Sequence, residues 1–370
     1  MTATDTSRRI LFFADASNIH TRRWVQAMAE RQFECYVVTR RPGTIAGSKE
    51  VIALHEGDSA LGWFRAIPQV RALARRIRPH WVHGHYVTSY GLWAAACGYP
   101  VPKVLTAWGS DILVTPREPG LRGSFMSGLV GWSLRQAQLV TADSADVIEA
   151  IRGYGVRAPC HEVLWGADTD RFRPARAAKA GFEIVSLRNW EPNYNIDVIL
   201  RAFARLRHER PEANAVLTLL GGGPLDRELH SLAIQLELGD DALRLIGRTD
   251  DVGMVEALQR ASVSVTVPTS DATSVAMLES MACGVAVVAS DLPANRPWVD
   301  AAWRVPPRDD AALARALIRL CDDRAQVRTL GERNRRLVEQ KGSRRGQMDR
   351  MAVLYESLWL QAPAPGGATT

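Results

Sequence analysis

The sequence predicts an α/β protein of two Rossmann-like, doubly wound parallel-sheet domains facing a central cleft, on three observations. At 370 residues the chain is about two to three times the size of a typical single domain. Short β-branched or apolar runs, bounded by Gly, Pro or polar turns, alternate with longer helical patterns, as parallel βαβ units require. The alternation then restarts after a polar, basic, proline-containing segment at 166–181, GADTDRFRPARAAKAG, which reads as a linker.

In chain order, the first round of the pattern offers strands at 10–14, 35–39, 81–83, 103–107, 139–142 and 162–165, with helices such as 21–31 and 68–78 between them. The second offers strands at 183–187, 215–220, 243–246, 263–267 and 285–289. After 309 the chain reads as mostly helical, and a last amphipathic run at 346–360 precedes QAPAPGGATT, whose Pro, Gly and Ala content predicts a disordered tail over 361–370. The domain reading is 1–170, with the helix 345–360 packing back on it, then a linker at 171–181 and a second domain at 182–344. Open parallel sheets bind ligands beyond the C-terminal ends of their strands, which directs attention to the loops there.

Composition narrows the class. With 46% apolar and 23% charged residues the chain is neither disordered nor collagen-like. Its net charge of +6 is uneven: residues 1–172 carry 20 basic and 15 acidic groups, residues 173–344 carry 24 and 23. Of the 46 basic residues 42 are Arg, too many for phosphate recognition to explain, and no dense basic stripe interleaved with aromatics marks a nucleic-acid binder. Five cysteines at least 38 residues apart, with no CxxC pair, argue against a disulfide framework or zinc ribbon and for a cytoplasmic protein. The first apolar run is broken by Asp15 and reads as a strand rather than a signal peptide. No stretch is apolar enough to span a bilayer.

The most informative stretch is 268–291, PTSDATSVAMLESMACGVAVVASD. A strand ends at Val267, a polar loop carries Thr269, Ser270, Asp271, Thr273 and Ser274, and a helix starts near Ser274 and stops at Gly284. A helix N-terminus offers free backbone N–H groups and about half a positive charge, which suits a phosphate or an electron-rich sugar. Glu279 on that helix would supply a carboxylate able to accept two ribose hydroxyl protons. The alternative is a plain N-capped helix with an exposed Glu.

This stretch resembles the retaining glycosyltransferases of family 4, whose fold is the two-domain GT-B. Their motif is Glu, seven residues, Glu, then Ala-Met-Ala-x-Gly and an apolar strand; here it reads Asp271, seven residues, Glu279, then Ser-Met-Ala-Cys-Gly and VAVVASD. The resemblance implies Glu279 on the nucleotide ribose and Asp271 with the loop amides on the donor sugar, with Thr273 and Ser274 among the donor-binding residues. Asp in place of Glu shortens the reach by one methylene. Upstream, EIVSLRNWEPNYNID at 183–197 resembles the family's strand and phosphate loop. It implies Arg188 on the donor diphosphate and puts Tyr194, with one hydroxyl donor, where a lysine is usual. A surface arginine ending a strand is the other reading of Arg188. LLGGGP at 219–224, with Gly222 at its centre, resembles the turn that needs close backbone approach, although a plain tight turn explains three glycines as well. LIGRTDD at 245–251 resembles the segment whose backbone reads the base, with Arg248 beside it. In DLPANRPWV at 291–299, Pro297 replaces a common Glu, and proline removes a backbone donor and fixes φ, so a rearranged loop is expected.

In the first half, ASNIHTRRW, HGHYVTSYG and TAWGSDIL each follow a strand and resemble family loops. His20 starts a helix where relatives approach donor phosphates and acceptor with small residues. Trp108 stands where many relatives have a histidine before Gly-x-Asp, which leaves His85 and Asp111 as candidates for the catalytic contact. For His85 a hydrogen-bonded loop histidine is the alternative. His80, His83 and His85 have no Asp, Glu or Cys within several residues, so no metal is expected. Asp168-Thr-Asp170 imitates a metal-binding DxD but lies in the interdomain connection, where a structural role is expected. Trp63, Ile67, Val70, Ala74 and Ile77 form an apolar stripe bordered by arginines, readable either as an interfacial helix or as one covering its own sheet.

The resemblance thus implies a metal-independent, retaining, hexosyltransferase-type enzyme without a cofactor. It would move a sugar from a nucleotide diphosphate sugar to a hydroxyl of a carbohydrate or lipid-linked acceptor, in cell-surface polysaccharide or glycolipid synthesis. Its expected place is the cytoplasm, peripheral at the inner face of the cell membrane, with no nucleic-acid partner. The alternative is a non-catalytic GT-B protein that binds a nucleotide sugar or a partner enzyme.

Overall fold

A computed structural model describes residues 8–55, 60–175 and 181–361. The segments 176–180 of the expected linker and 362–370 of the expected tail lie outside the described residues. The chain divides into two compact units, Met1–Trp165 with Arg345–Thr370, and Gly166–Arg344.

The first unit is built on seven parallel strands: β1 (Arg8–Phe13), β2 (Phe33–Thr39), β3 (Glu50–Ala53), β4 (Trp81–His85), β5 (Lys103–Thr106), β6 (Leu139–Ala142) and β7 (Cys160–Glu162). Their order is β3-β2-β1-β4-β5-β6-β7, so the chain winds outward one way from β1 and then reverses at β4. Strands covered on both faces read as unbroken apolar runs, and Ile10, Leu11, Phe12 and Phe13 of β1 are all fully buried. β3 was not expected: it is a half-exposed edge strand of four residues, Glu-Val-Ile-Ala, too short to stand out from the polar turns around it. The last strand lies at Cys160–Glu162 rather than 162–165, because pairing with β6 ends where Glu162 meets Ala142. The helix Ile67–Ile77 buries Val70, Ala74 and Ile77, so its apolar stripe covers the sheet and is not an interfacial face.

The last helix, Arg344–Gln361, completes this unit by burying Met348, Met351 and Tyr355. The Tyr355 hydroxyl lies 2.5 Å from His83 Nδ1, and the Tyr355 carbonyl accepts from Trp81 Nε1 at 2.7 Å. His83 Nε2 continues to Thr106 Oγ1 at 2.6 Å, and Thr106 to Thr141 Oγ1 at 2.6 Å. A buried polar chain with every member satisfied fixes one register of helix on sheet.

The second unit carries six parallel strands: β8 (Glu183–Ser186), β9 (Val216–Leu220), β10 (Leu243–Gly247), β11 (Val263–Thr266), β12 (Ala286–Ser290) and β13 (Arg304–Val305). The order β10-β9-β8-β11-β12-β13 repeats the plan, with the reversal between β8 and β11. β13 was not expected, since two residues carry no periodicity. The DxD look-alike is structural: Asp168 accepts from the Arg171 N–H at 3.2 Å and pairs with Arg344 at 3.5 Å. Among the described residues no cluster of His, Cys, Asp or Glu could hold a metal, and no helix is long and apolar enough to cross a membrane.

Candidate active site

In the second unit the expected donor residues converge on the reversal point between β8 and β11, where open α/β sheets bind ligands. The loops after these two strands are stitched together. Asn195, in the left-handed region at φ 51°, donates through Nδ2 to the Val267 carbonyl at 2.8 Å and to Thr269 Oγ1 at 3.0 Å. Asn193 Nδ2 donates to the Ser270 carbonyl at 2.8 Å. Within this frame Arg188 Nη2 donates to Asp271 Oδ2 at 2.7 Å, Nη1 donates to Ser274 Oγ, and the guanidinium lies 4.2 Å from the centroid of the Tyr194 ring. Arg188 is therefore a buried side chain held on three sides, and not the surface arginine that its position after a strand also allowed.

Ser274 caps the helix Val275–Ala282, accepting from the Met277 N–H at 3.3 Å, and Thr273 beside it is buried. Glu279 on this helix is 3% exposed, which removes the reading of a solvated Glu on an ordinary capped helix. Burial raises the Asp271 carboxyl above its ordinary range, and the Arg188 cation pulls it back down. Burial likewise raises the Tyr194 phenol.

The three-glycine turn follows β9 and packs onto the Arg188 loop. A Cβ at Gly221, whose φ is +146°, would stand 2.3 Å from the Arg188 carbonyl oxygen, and one at Gly223 would stand 2.4 Å from that of Trp190. No side chain fits at either position, so backbone approach and not turn propensity alone explains the run. A Cβ at Gly222 would meet the Arg248 stem at 3.2 Å, and Arg248 itself is exposed.

In the first unit the loops after β1, β2, β4 and β5 enclose a cavity of about 620 Å³ at the corresponding reversal point. Asp15, Asn18, Arg40, Trp63, Tyr90 and Trp108 are among its lining residues. Arg40 stacks 4.7 Å over the Trp63 ring. His85 lines this cavity, but its ring lies among Trp24 at 5.2 Å, Trp165 at 5.7 Å and Trp108 at 6.0 Å. Neither ring nitrogen has a hydrogen-bond partner among the described residues. Burial pushes its pKa down to about 3, so at neutral pH it is an uncharged ring and too weak a base to hold a proton. Asp111 is fully buried, accepting from the Val87 N–H at 2.6 Å and the Trp108 N–H at 2.9 Å. It clamps the loop after β4 to the loop after β5, and burial pushes its pKa up to about 6. Of the two candidates for the catalytic contact, His85 thus forms part of the cavity wall as a neutral ring, and Asp111 holds two of the surrounding loops together. His20 lies 5.4 Å from Trp165 and 6.1 Å from Trp108, ring to ring, while its backbone N–H is capped by Asn18 Oδ1 at 2.8 Å. Arg40, Trp63 and Tyr90 were missed; the signal available was only that Arg40 directly follows a strand.

These pKa shifts give a testable acid limb. His85 is neutral in the fold down to about pH 3 but takes a proton near pH 6.5 when unfolded, so its contribution to stability is lost as pH falls between those values. The slope reaches about 1.4 kcal/mol per pH unit. Asp111, raised from 3.8 to about 6, opposes it, favouring the fold as pH falls through that narrower window. Unfolding free energies measured from pH 7 to 4 are expected to fall less steeply in His85→Phe and more steeply in Asp111→Asn than in the parent. Parallel curves for all three would contradict the burial argument.

Two doubly wound units in one chain, each with its loops gathered at the reversal of strand order, are the architecture of the GT-B glycosyltransferases. The chain belongs to the group 1, family-4-like branch of them: residues 9–144 match the family described as glycosyl transferase 4-like, and residues 181–323 match glycosyl transferases group 1. Similar solved structures include a sucrose-phosphate synthase from Thermosynechococcus elongatus, with TM-score 0.80, 19% identity and coverage of 95% of this chain and 99% of that one. Another is HepE of Anabaena in complex with UDP, with TM-score 0.79, 15% identity and coverage of 95% and 100%. At these identities the likeness is one of fold. Among curated relatives, an exopolysaccharide phosphotransferase of Streptomyces coelicolor is 30% identical over 213 residues, 56% of this chain and 21% of the relative. An MMP alpha-(1->4)-mannosyltransferase of Mycolicibacterium hassiacum is 27% identical over 226 residues, 59% and 54% respectively. The matched region thus spans from about a fifth to about half of these relatives.

Proposed function

We propose that this protein is a retaining, metal-independent glycosyltransferase that moves a hexosyl group from a nucleoside diphosphate sugar to an acceptor hydroxyl in cell-surface polysaccharide or glycolipid synthesis. The observation that carries the reading is the Arg188–Asp271–Ser274 constellation at the β8/β11 reversal, over the capped N-terminus of the helix bearing buried Glu279. Charge that builds on a leaving diphosphate would be met by Arg188 and by the free N–H groups of that helix, and such electrostatic stabilisation usually contributes most to catalysis. Asp271 would meet the donor sugar and Glu279 the ribose. UDP in the HepE structure and mannosyl transfer by the M. hassiacum relative support the donor class. The first unit's cavity would take the acceptor: its aromatic walls suit a pyranose face, and Arg40 suits an anionic substituent on it.

The test is a panel of UDP- and GDP-sugars, scored for binding and for hydrolysis or transfer to neutral, uronic acid and phosphosugar acceptors. Glu279→Gln is expected to weaken nucleotide affinity roughly tenfold, the scale of one charge-assisted hydrogen bond, with thermal unfolding unchanged. Unaltered affinity would remove the ribose role. Binding without product from any acceptor would favour the non-catalytic reading, and no binding would sink both.

A further inference from the structure

The helix Leu121–Arg135 is apolar on two opposite sides. At about 100° per residue, Val130 and Leu134 lie on one side, and both are fully buried, where the helix packs against the helix Tyr90–Ala96. On the other side Leu121, Phe125, Gly128 and Trp132 fall within about 60° of one another. Here Leu121 is 91% exposed, Phe125 59% and Trp132 38%, and Val114, just upstream of this helix, is 48% exposed. A helix with a second apolar face normally buries that face too, and this one is left open to a partner.

The charges beside the stripe say what that partner is. Arg122 and Arg135 fall on either side of it by the same helical spacing, and exposed Arg117 precedes it. The exposed acidic group in this segment is Glu118, which pairs with Arg122 at 3.8 Å; Asp111 is buried on backbone N–H groups. Arg135 also reaches the Tyr154 carbonyl, at 3.5 Å. A Leu-Phe-Trp face edged by arginines is the composition of a helix that lies in the headgroup boundary of an anionic bilayer. A second copy of the chain fits less well, because a two-fold contact would set these arginines against themselves. The unit that carries the stripe also holds the chain's basic excess, 20 basic against 15 acidic residues over 1–172.

We infer that the exposed face of the helix Leu121–Arg135 docks this protein on an anionic lipid surface. The site lies on a different helix from the stripe at 67–77, and it requires no turnover, so it stands or falls apart from the glycosyltransferase reading.

The experiment is co-sedimentation of the full chain with vesicles of phosphatidylcholine alone and with about one third phosphatidylglycerol, across a salt series. Binding is expected to the anionic vesicles and to weaken as salt rises. The L121S/F125S double variant is expected to lose at least tenfold in vesicle affinity while melting at the parent temperature, since both side chains are exposed. R117Q/R122Q is expected to reduce the salt-dependent part. Absence of parent binding to either vesicle, or equal binding by the double variant, would overturn the inference. So would a parent dimer in solution that the double variant dissolves, because the stripe would then belong to self-association.

Discussion

Replacing Arg188 with Ala is expected to lower kcat/KM for the nucleotide-sugar donor by about 10²- to 10³-fold, the loss seen when one preorganised stabiliser of a leaving oxyanion is removed. The side chain is held ready by Asp271, Ser274 and the Tyr194 ring, so little reorganisation is needed when a diphosphate arrives. Arg188→Lys should recover only part of the loss, because an ammonium keeps the charge but not the planar fork. A second readout separates this role from a structural one. Arg188 is the group that pulls the Asp271 carboxyl down against burial, so without it that carboxyl rises further and the acid limb of the pH–rate profile moves to higher pH. A folded Arg188→Ala protein with parental kcat/KM and an unmoved acid limb would end the proposed role.

Tyr355→Ala is expected to destabilise the first unit by about 3–5 kcal/mol, the usual range for deleting a buried aromatic side chain. The ring is fully buried beside Phe33, Trp81 and His83, and its hydroxyl satisfies a histidine that burial holds neutral. Tyr355→Phe keeps the packing and strands only His83 Nδ1, so about 1–3 kcal/mol is expected there. Eight of the eleven tryptophans lie in the first unit, so tryptophan fluorescence during urea unfolding follows that unit. An Ala variant within about 1 kcal/mol of the parent would show that the helix contributes nothing to the unit's stability.

The strands of both sheets were legible because doubly covered parallel strands appear as unbroken apolar runs, as in residues 10–13 and 286–289. β3 and β13 were not, one being a four-residue, half-exposed edge and the other too short for any period. The residues proposed for the donor were legible as a group because Asp271, Ser274 and Glu279 sit in one local strand-loop-helix segment. The first unit's cavity was not, because Asp15, Arg40, Trp63 and Tyr90 come from separate stretches that only the fold assembles. His85 shows the same limit: its sequence neighbours looked like site chemistry, while Trp24, Trp108 and Trp165, which neutralise it, lie far along the chain. The helix Leu121–Arg135 escaped attention because residues apolar on both faces leave no amphipathic contrast to detect.

The return of the helix Arg344–Gln361 to the first sheet places the sequence of the second unit between two parts of the first, and this sets an order of assembly. As the chain leaves the ribosome, β1 to β7 emerge before the second unit, yet Trp81 and His83 wait for Tyr355, which is made only after that whole unit. The second unit, Gly166–Arg344, is synthesised complete before that helix appears, so it is the piece able to finish folding during translation. Until the helix arrives, the side of the first sheet that it covers stays open, which makes this stretch of synthesis the period of greatest exposure to chaperones and proteases.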